Sequence, residues 1–461
     1  MRTESDSMGE MQVPDDALYG ASTQRAVLNF PVSGYPMPTA FVHGLARVKS
    51  ACATANEDLG LLPTDKAGLI RDALQAILRG EHDDQFPVDV FQTGSGTSTN
   101  MNLNEVVANL ASLARGEAIG SRKPIHPNDD VNLGQSSNDV IPTALHVSVA
   151  LALRDTLIPA LTHLAAELRE KSERFADLVK IGRTHLMDAT PLTLGQEFSG
   201  YAAQVRKGAE RAERAITCLA ELAIGGTAVG TGINTHPEFG ARVAALLSEE
   251  TGLSFREADN HFEAQGGRDD AVEVAGILAS ISAGLTKVAN DIRLLGSGPR
   301  SGLGEIALPA TQPGSSIMPG KVNPVMSEML VQACLFAQGQ CQAVVSAGRD
   351  GHFELNVTLP LLAHSLLESI RILAHAARTF ADRCVAGIEA NEETCGELVR
   401  RSLMLVTALN PHIGYDNAAR VAKKAFAENK TLREIVLEEG LLDEATLDQA
   451  LDPSGMVRPL A

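Results

Sequence analysis

Four polar stretches interrupt a chain that otherwise reads as long apolar helices: QTGSGTSTNMNLNE (92–105), HPNDDVNLGQSSND (126–139), GRTHLMDATP (182–191) and PGSSIMPGKVNP (313–324). The last carries three prolines and two glycines, so it is a loop and neither helix interior nor central strand. Asn323 and Pro324 read as the N-cap and first residue of the adjoining helix, which puts the loop at that helix's positive end, and Lys321 adds a full charge. Each of the four segments is expected near a helix start. Capping alone accounts for Ser, Thr and Asn at such places. The same geometry offers free N–H groups and a positive dipole to an anion, and four of these sites together would surround a small polyanion. Among twelve histidines, His185 stands out because Arg183, Thr184 and Asp188 share its short segment.

Rival motifs fail on spacing. Gly314 and Gly320 enclose five residues where a phosphate-binding P-loop needs four, and Val322 stands where its Mg²⁺-binding hydroxyl belongs. TGSGTS lacks the third glycine of a dinucleotide fingerprint. With no HExxH, EF-hand or Cys/His cluster, no metal is implied.

The elements that must position these groups are helical. Aromatics are 4% with no tryptophan, while Ala, Leu, Glu and Arg abound, so a mainly α protein is expected. Helical periodicity runs from Pro142 to Phe175 with a kink at Pro159, from Thr190-Pro191 as cap and first turn to about Leu222, and from about Phe262 to Leu295. It returns from Pro324 to about Ser346 and from Pro360 to about Ile388. Several of these patterns are apolar around much of their circumference, as in ILASISAGLTKVANDI, which predicts burial among other helices and a bundle that oligomerises. Three domains are expected: a mainly helical one over 1–136, a long-helix bundle over 137–392 and a small helical one over 393–461.

The net charge of −18 and the lack of a basic block exclude nucleic acid, and an anionic substrate would depend on local positive groups. Six cysteines without a CxxC read as buried thiols of a reducing compartment. The N-terminus lacks an apolar targeting segment and no run of about 18 apolar residues occurs after it, so the expectation is a cytoplasmic protein without membrane contact.

GSSIMPGKVNP resembles the signature loop of the aspartase/fumarase superfamily. The likeness extends over nearly the whole chain, through DSMGEMQVPDDALYGASTQRAVLNFP, QTGSGTSTNMNLNEV, HPNDDVNLGQSSNDV, GRTHLMDATPLTLGQEFSGY, LAIGGTAVGTGIN, HFELNV and SLMLVTALNPHIGYDNAA. Each block is similar to that of class II fumarases. The main alternative is aspartate ammonia-lyase or another lyase of the superfamily; His185, the SSN at 136–138 and FELNV at 353–357 favour fumarase.

The resemblance implies a three-domain fold whose central helices join those of three further copies in a homotetramer, with active sites shared between subunits and no cofactor. It implies reversible anti elimination of water from L-malate to give fumarate, in the tricarboxylic acid cycle. It assigns Ser315 as the base that takes the C3 proton, His185 as the general acid and Glu328 as the partner that orients the imidazole. The substrate carboxylates fall to Ser95, Gly96, Thr97, Ser136, Ser137, Asn138, Thr184, Ser316, Lys321, Val322 and Asn323. His126, Pro127, Asn128 and Asp129 resemble a second anion site, and a structural turn around Pro127 explains the same residues.

Overall fold

The computed structural model describes residues 1–459, and the chain is mainly helical as its composition requires. Among the described residues, strands are limited to short two-stranded pairs. The chain forms two compact units. One comprises Met1–Pro159, Gly208–Ala283 and Ala333–His375; the other comprises Ala160–Lys207, Gly284–Gln332 and the chain from Ala376 on.

In the first unit, the helix Ser137–Ala152 shows what all-round apolarity does. Thirteen of its sixteen residues are buried, among them Val140, Ile141, Ala144, Leu145 and Val149, so no face is left for water. Helices Thr39–Asp58 and Thr97–Ala114 pack beside it. Pro159 disturbs the helical path beyond Ala152. Its ring cannot sit against the carbonyl four residues back, and the chain responds with a π-turn over Leu153–Leu157 before the helix Ile158–Arg174 continues.

In the second unit, the C-terminal chain has a small core of its own, built from Val399, Leu405, Leu409, Val421, Leu432, Ile435 and Leu447 together with Ile181.

Two helix boundaries differ from the sequence reading. Thr190-Pro191 does not open a helix; it lies in the strand Met187–Thr193, which pairs antiparallel with Val179–Thr184. The helix begins at Leu194, after a reciprocal cap one turn later: Gln196 N–H donates to Thr193 Oγ1 (3.0 Å) and Thr193 N–H donates to Gln196 Oε1 (2.9 Å). The stretch from Phe262 to Leu295 divides into His261–Gly266 and Asp269–Leu295, because Gly267 is extended.

No uninterrupted run of about 18 apolar residues occurs, yet two helices are apolar on average over that length. Ser137–Arg174 and Asp269–Leu295 are both long and apolar enough to cross a membrane, each with mean hydropathy 1.4. Scattered Ser, Thr and Gly break any run of consecutive apolar residues without lowering the average much. Sixty-one per cent of the most apolar 18 residues of the first is buried inside the protein, as in a core helix, against 44% for the second. Five cysteines are buried, Cys218 is half-buried, and none forms a disulfide among the described residues.

Candidate active site

In the first unit, the segment around Ser95 turns sharply into the helix Thr97–Ala114. Gly96 makes the turn at φ +72°, where a side chain would be strained and its Cβ would lie 2.8 Å from Ile141 Cγ2. Ser95 Oγ and Thr97 Oγ1 are 2.8 Å apart, so the two hydroxyls share a hydrogen bond at the helix's positive end. Behind them Gln92 Oε1 accepts from Thr99 N–H (3.1 Å) and Thr99 Oγ1–H (2.9 Å).

Ser136 caps the helix Ser137–Ala152 in a capping box with Asp139: Asn138 N–H donates to Ser136 Oγ (3.2 Å) and Ser136 N–H to Asp139 Oδ1 (2.9 Å). Asp139 is fully buried and its other oxygen accepts from Gly225 N–H (3.2 Å) and Thr227 N–H (2.9 Å). Burial still pushes its pKa up to about 6. Asn138 Nδ2 donates to the Ala228 carbonyl (2.8 Å).

The two helix starts are tied together by asparagines that motif reasoning did not single out. Asn100 Nδ2 donates to Ser137 Oγ (3.1 Å) and to Asn132 Oδ1 (3.1 Å), which also accepts from the buried ammonium of Lys49 (2.8 Å). Burial pushes the Lys49 pKa down to about 7. Asn100 lies inside a quoted polar stretch; Lys49, in an apolar helical pattern, carried no local signal.

His126 Nδ1 accepts from Asn128 N–H (3.3 Å) and Asp129 N–H (3.2 Å), so the imidazole itself caps the π-turn Pro127–Val131. A cleft of about 120 Å³ beside it is lined by His126, Pro127 and Asn128, and also by Glu4, Asp6 and Glu105.

In the second unit, the segment 182–191 is no helix start. It forms a hairpin with His185 and Leu186 at its tip, at φ +59° and +62°, the paired left-handed conformations of a two-residue turn matched to strand twist. His185 and Thr184 are exposed there.

The loop 313–324 closes on itself. Gly314 N–H donates to the Lys321 carbonyl (2.8 Å) and Asn323 Nδ2 donates to the Gly314 carbonyl (2.7 Å). The helix begins at Val325, one residue later than expected, so Pro324 directly precedes it, and Asn323 uses one amide hydrogen to hold the loop's neck. Within the loop, Ser315 Oγ accepts from Ile317 N–H (3.3 Å) and Met318 N–H (3.0 Å). Ser316, Lys321 and Val322 are exposed, as is Glu328 in the first turn of the helix.

The residues expected to act together thus divide between the units: 95–97, 126–129 and 136–138 in one, 184–185 and 315–328 in the other.

Comparison with known proteins gives the constellation its context. Residues 9–339 match the family described as Lyase, and residues 405–458 match the family described as Fumarase C C-terminus. The class II fumarate hydratase of Halobacterium salinarum is 56% identical over 455 residues, covering 99% of this chain and 97% of that protein. That of Thermosynechococcus vestitus is 53% identical over 448 residues, covering 97% and 96%. The crystal structure of class II fumarase from Schistosoma mansoni, 40% identical, superposes with a TM-score of 0.96 over 99% of both chains. With matches of this length and identity, the chain belongs to the class II fumarate hydratase family.

Proposed function

We propose that this chain catalyses the reversible anti elimination of water from L-malate to fumarate, as a metal-independent homotetramer of three-domain subunits (1–136, 137–392 and 393–461). In this reading it serves the tricarboxylic acid cycle in the cytoplasm, and each active site draws residues from three subunits. Loss of the C3 proton places a second negative charge on the adjacent carboxylate, so preorganised donors aimed at that charge supply the largest catalytic contribution. Lys321, Asn323 and the N–H groups of the 313–324 loop take that role. Ser95, Gly96, Thr97, Ser136, Ser137, Asn138, Thr184, Ser316 and Val322 hold the substrate carboxylates and supply the local attraction that an acidic chain lacks globally. His126 to Asp129 form a second anion site, whose backbone N–H donors the His126 ring occupies in the free chain.

Ser315 is the base. A neutral hydroxyl is far too weak for the task, and its alkoxide needs fixed donors. The observation that carries this reading is the pair of N–H groups, from Ile317 and Met318, that already point at Ser315 Oγ. His185 protonates the departing hydroxyl, and Glu328 orients its ring and supports the imidazolium. The exposure of His185, Lys321 and Glu328 in the single chain suits groups whose partners come from other subunits. So do the open apolar side chains of the helix Val325–Gly348: Leu335 (58% exposed), Phe336 (46%) and Val345 (40%).

The direct test monitors fumarate's ultraviolet absorbance with purified protein, first on L-malate and then on L-aspartate. Fumarate is expected from L-malate. Formation from L-aspartate alone would assign the chain to the ammonia-lyases instead.

A further inference from the structure

The hairpin that carries Thr184 and His185 has an unusual root. In a regular strand, residues three apart face opposite sides. Lys180 and Arg183 nevertheless reach one carboxylate oxygen: Glu305 Oε2 lies 3.2 Å from Lys180 Nζ and 2.9 Å from Arg183 Nη1. The register shifts between Ile181 and Arg183, where Gly182 faces two residues of the partner strand, Ala189 and Thr190, so the two long side chains reach Glu305 from either side of a bulge in that partner strand. Gly182 occupies the shift, and a Cβ there would come within 2.4 Å of the Thr190 carbonyl oxygen.

The cluster is buried and balanced. Lys180 is 1% exposed and Glu305 fully buried, and Lys180 also lies 2.9 Å from Glu197 Oε2 in the first turn of the helix Leu194–Cys218. Two cations thus face two carboxylates, the condition under which such burial is tolerated. Among the described residues Glu305 Oε1 has no hydrogen-bond partner, so the clamp depends on a single oxygen. The backbone of Glu305 is fixed as well. Its N–H donates to the Leu295 carbonyl (3.0 Å), its carbonyl accepts from Asn391 N–H (2.9 Å), and the next residues, Ile306–Ala307, pair with Glu389–Ala390. Glu305 is therefore an anchored point on the chain that leads into the 313–324 loop.

We propose that Glu305 is a positioning residue for the general acid: by clamping Lys180 and Arg183 across the bulge, it sets the phase of the hairpin and hence the direction in which the His185 turn projects its ring. The inference rests on the assignment of His185 as the acid. Its effect belongs to the chemical step more than to substrate binding, because Thr184 is the one carboxylate-holding residue on the hairpin, while the segments 95–97 and 136–138 lie in the other unit.

The test uses the full-length enzyme. Glu305→Gln keeps the shape and removes the counter-charge; kcat on L-malate should fall about 10- to 100-fold with KM changed little. If that variant does not fold, Arg183→Met serves, because it leaves Glu305 paired with Lys180; the same kcat loss is expected. Arg183→Lys should recover most of it, since the arginine makes its contact to Glu305 through one nitrogen. Combining Arg183→Met with His185→Asn should cost little beyond His185→Asn alone, because both act through one group. Wild-type kcat in folded clamp variants, or losses that multiply in the double variant, would overturn the proposal while leaving a crippled His185→Asn enzyme. Wild-type kcat in His185→Asn itself would instead remove the acid role, and the clamp's purpose with it.

Discussion

At the scale of single residues, the account turns on how ordinary side chains acquire unusual acidity. Ser315 receives two backbone N–H groups on its hydroxyl oxygen, donors that favour the oxyanion over the neutral hydroxyl. Ser315→Ala should therefore lower kcat on L-malate by at least about three orders of magnitude, with circular dichroism and assembly mass unchanged; a variant within tenfold of wild type would discard the serine as base. His146 makes a different prediction. It is buried on the helix Ser137–Ala152 with Nδ1 2.7 Å from the Glu221 carbonyl, and burial, reinforced by nearby Arg268, pushes its pKa down to about 4. The unfolded chain takes up this proton near pH 6.5 and the native protein does not until about pH 4. Stability is thus lost as pH falls between those values, by up to ~3 kcal/mol per chain. Urea midpoints should fall less steeply with acidification in His146→Gln than in wild type, and parallel curves would exclude the assignment.

At the scale of elements, each candidate segment is aimed by a neighbour that packs against its backbone. Gly94 is the tightest case: a Cβ there would sit 1.7 Å from the Val357 carbonyl oxygen, and the Gly94 carbonyl accepts from Leu359 N–H (2.9 Å). Gly94→Ala must displace the turn that carries Ser95 and Thr97, so KM for L-malate should rise about tenfold or more and the melting temperature should fall; an unchanged KM would separate this turn from substrate binding. Much of this was legible in the sequence. Periodicity found the long helices, Pro159 marked the irregularity in one of them, and the capping of Ser136 followed from its residue type. The features that stayed hidden were set by tertiary pairing. Thr190-Pro191 has the chemistry of a helix start, yet the partner strand Val179–Thr184 claims it, and the true cap falls at Thr193. Asn323 likewise looks like a cap, yet the helix starts at Val325 and the Asn323 amide instead ties the loop's neck to the Gly314 carbonyl. Lys49 and Glu305 could not be found from local pattern, because their meaning lies in contacts tens to hundreds of residues away in sequence.

At the scale of the whole molecule, an acidic protein of net charge −18 is proposed to hold a dianion, and it can do so only where helix ends, hydroxyls, amides and Lys321 converge. The segments 95–97 with 136–138, the 184–185 turn and the 315–328 loop are proposed to come from three different subunits in each working site. That claim has a direct measurement. Asn138→Ala and Ser315→Ala, each expected to be inactive alone in the proposed tetramer, are mixed, dissociated and reassembled, and the rate on L-malate is read. If the sites are shared, roughly a quarter of those in randomly mixed tetramers combine an intact 138 segment with an intact Ser315 loop, and activity should return to about that fraction of wild type. If one chain supplies both segments, no reassembled site is complete, and a mixture as inactive as its parents would contradict the account.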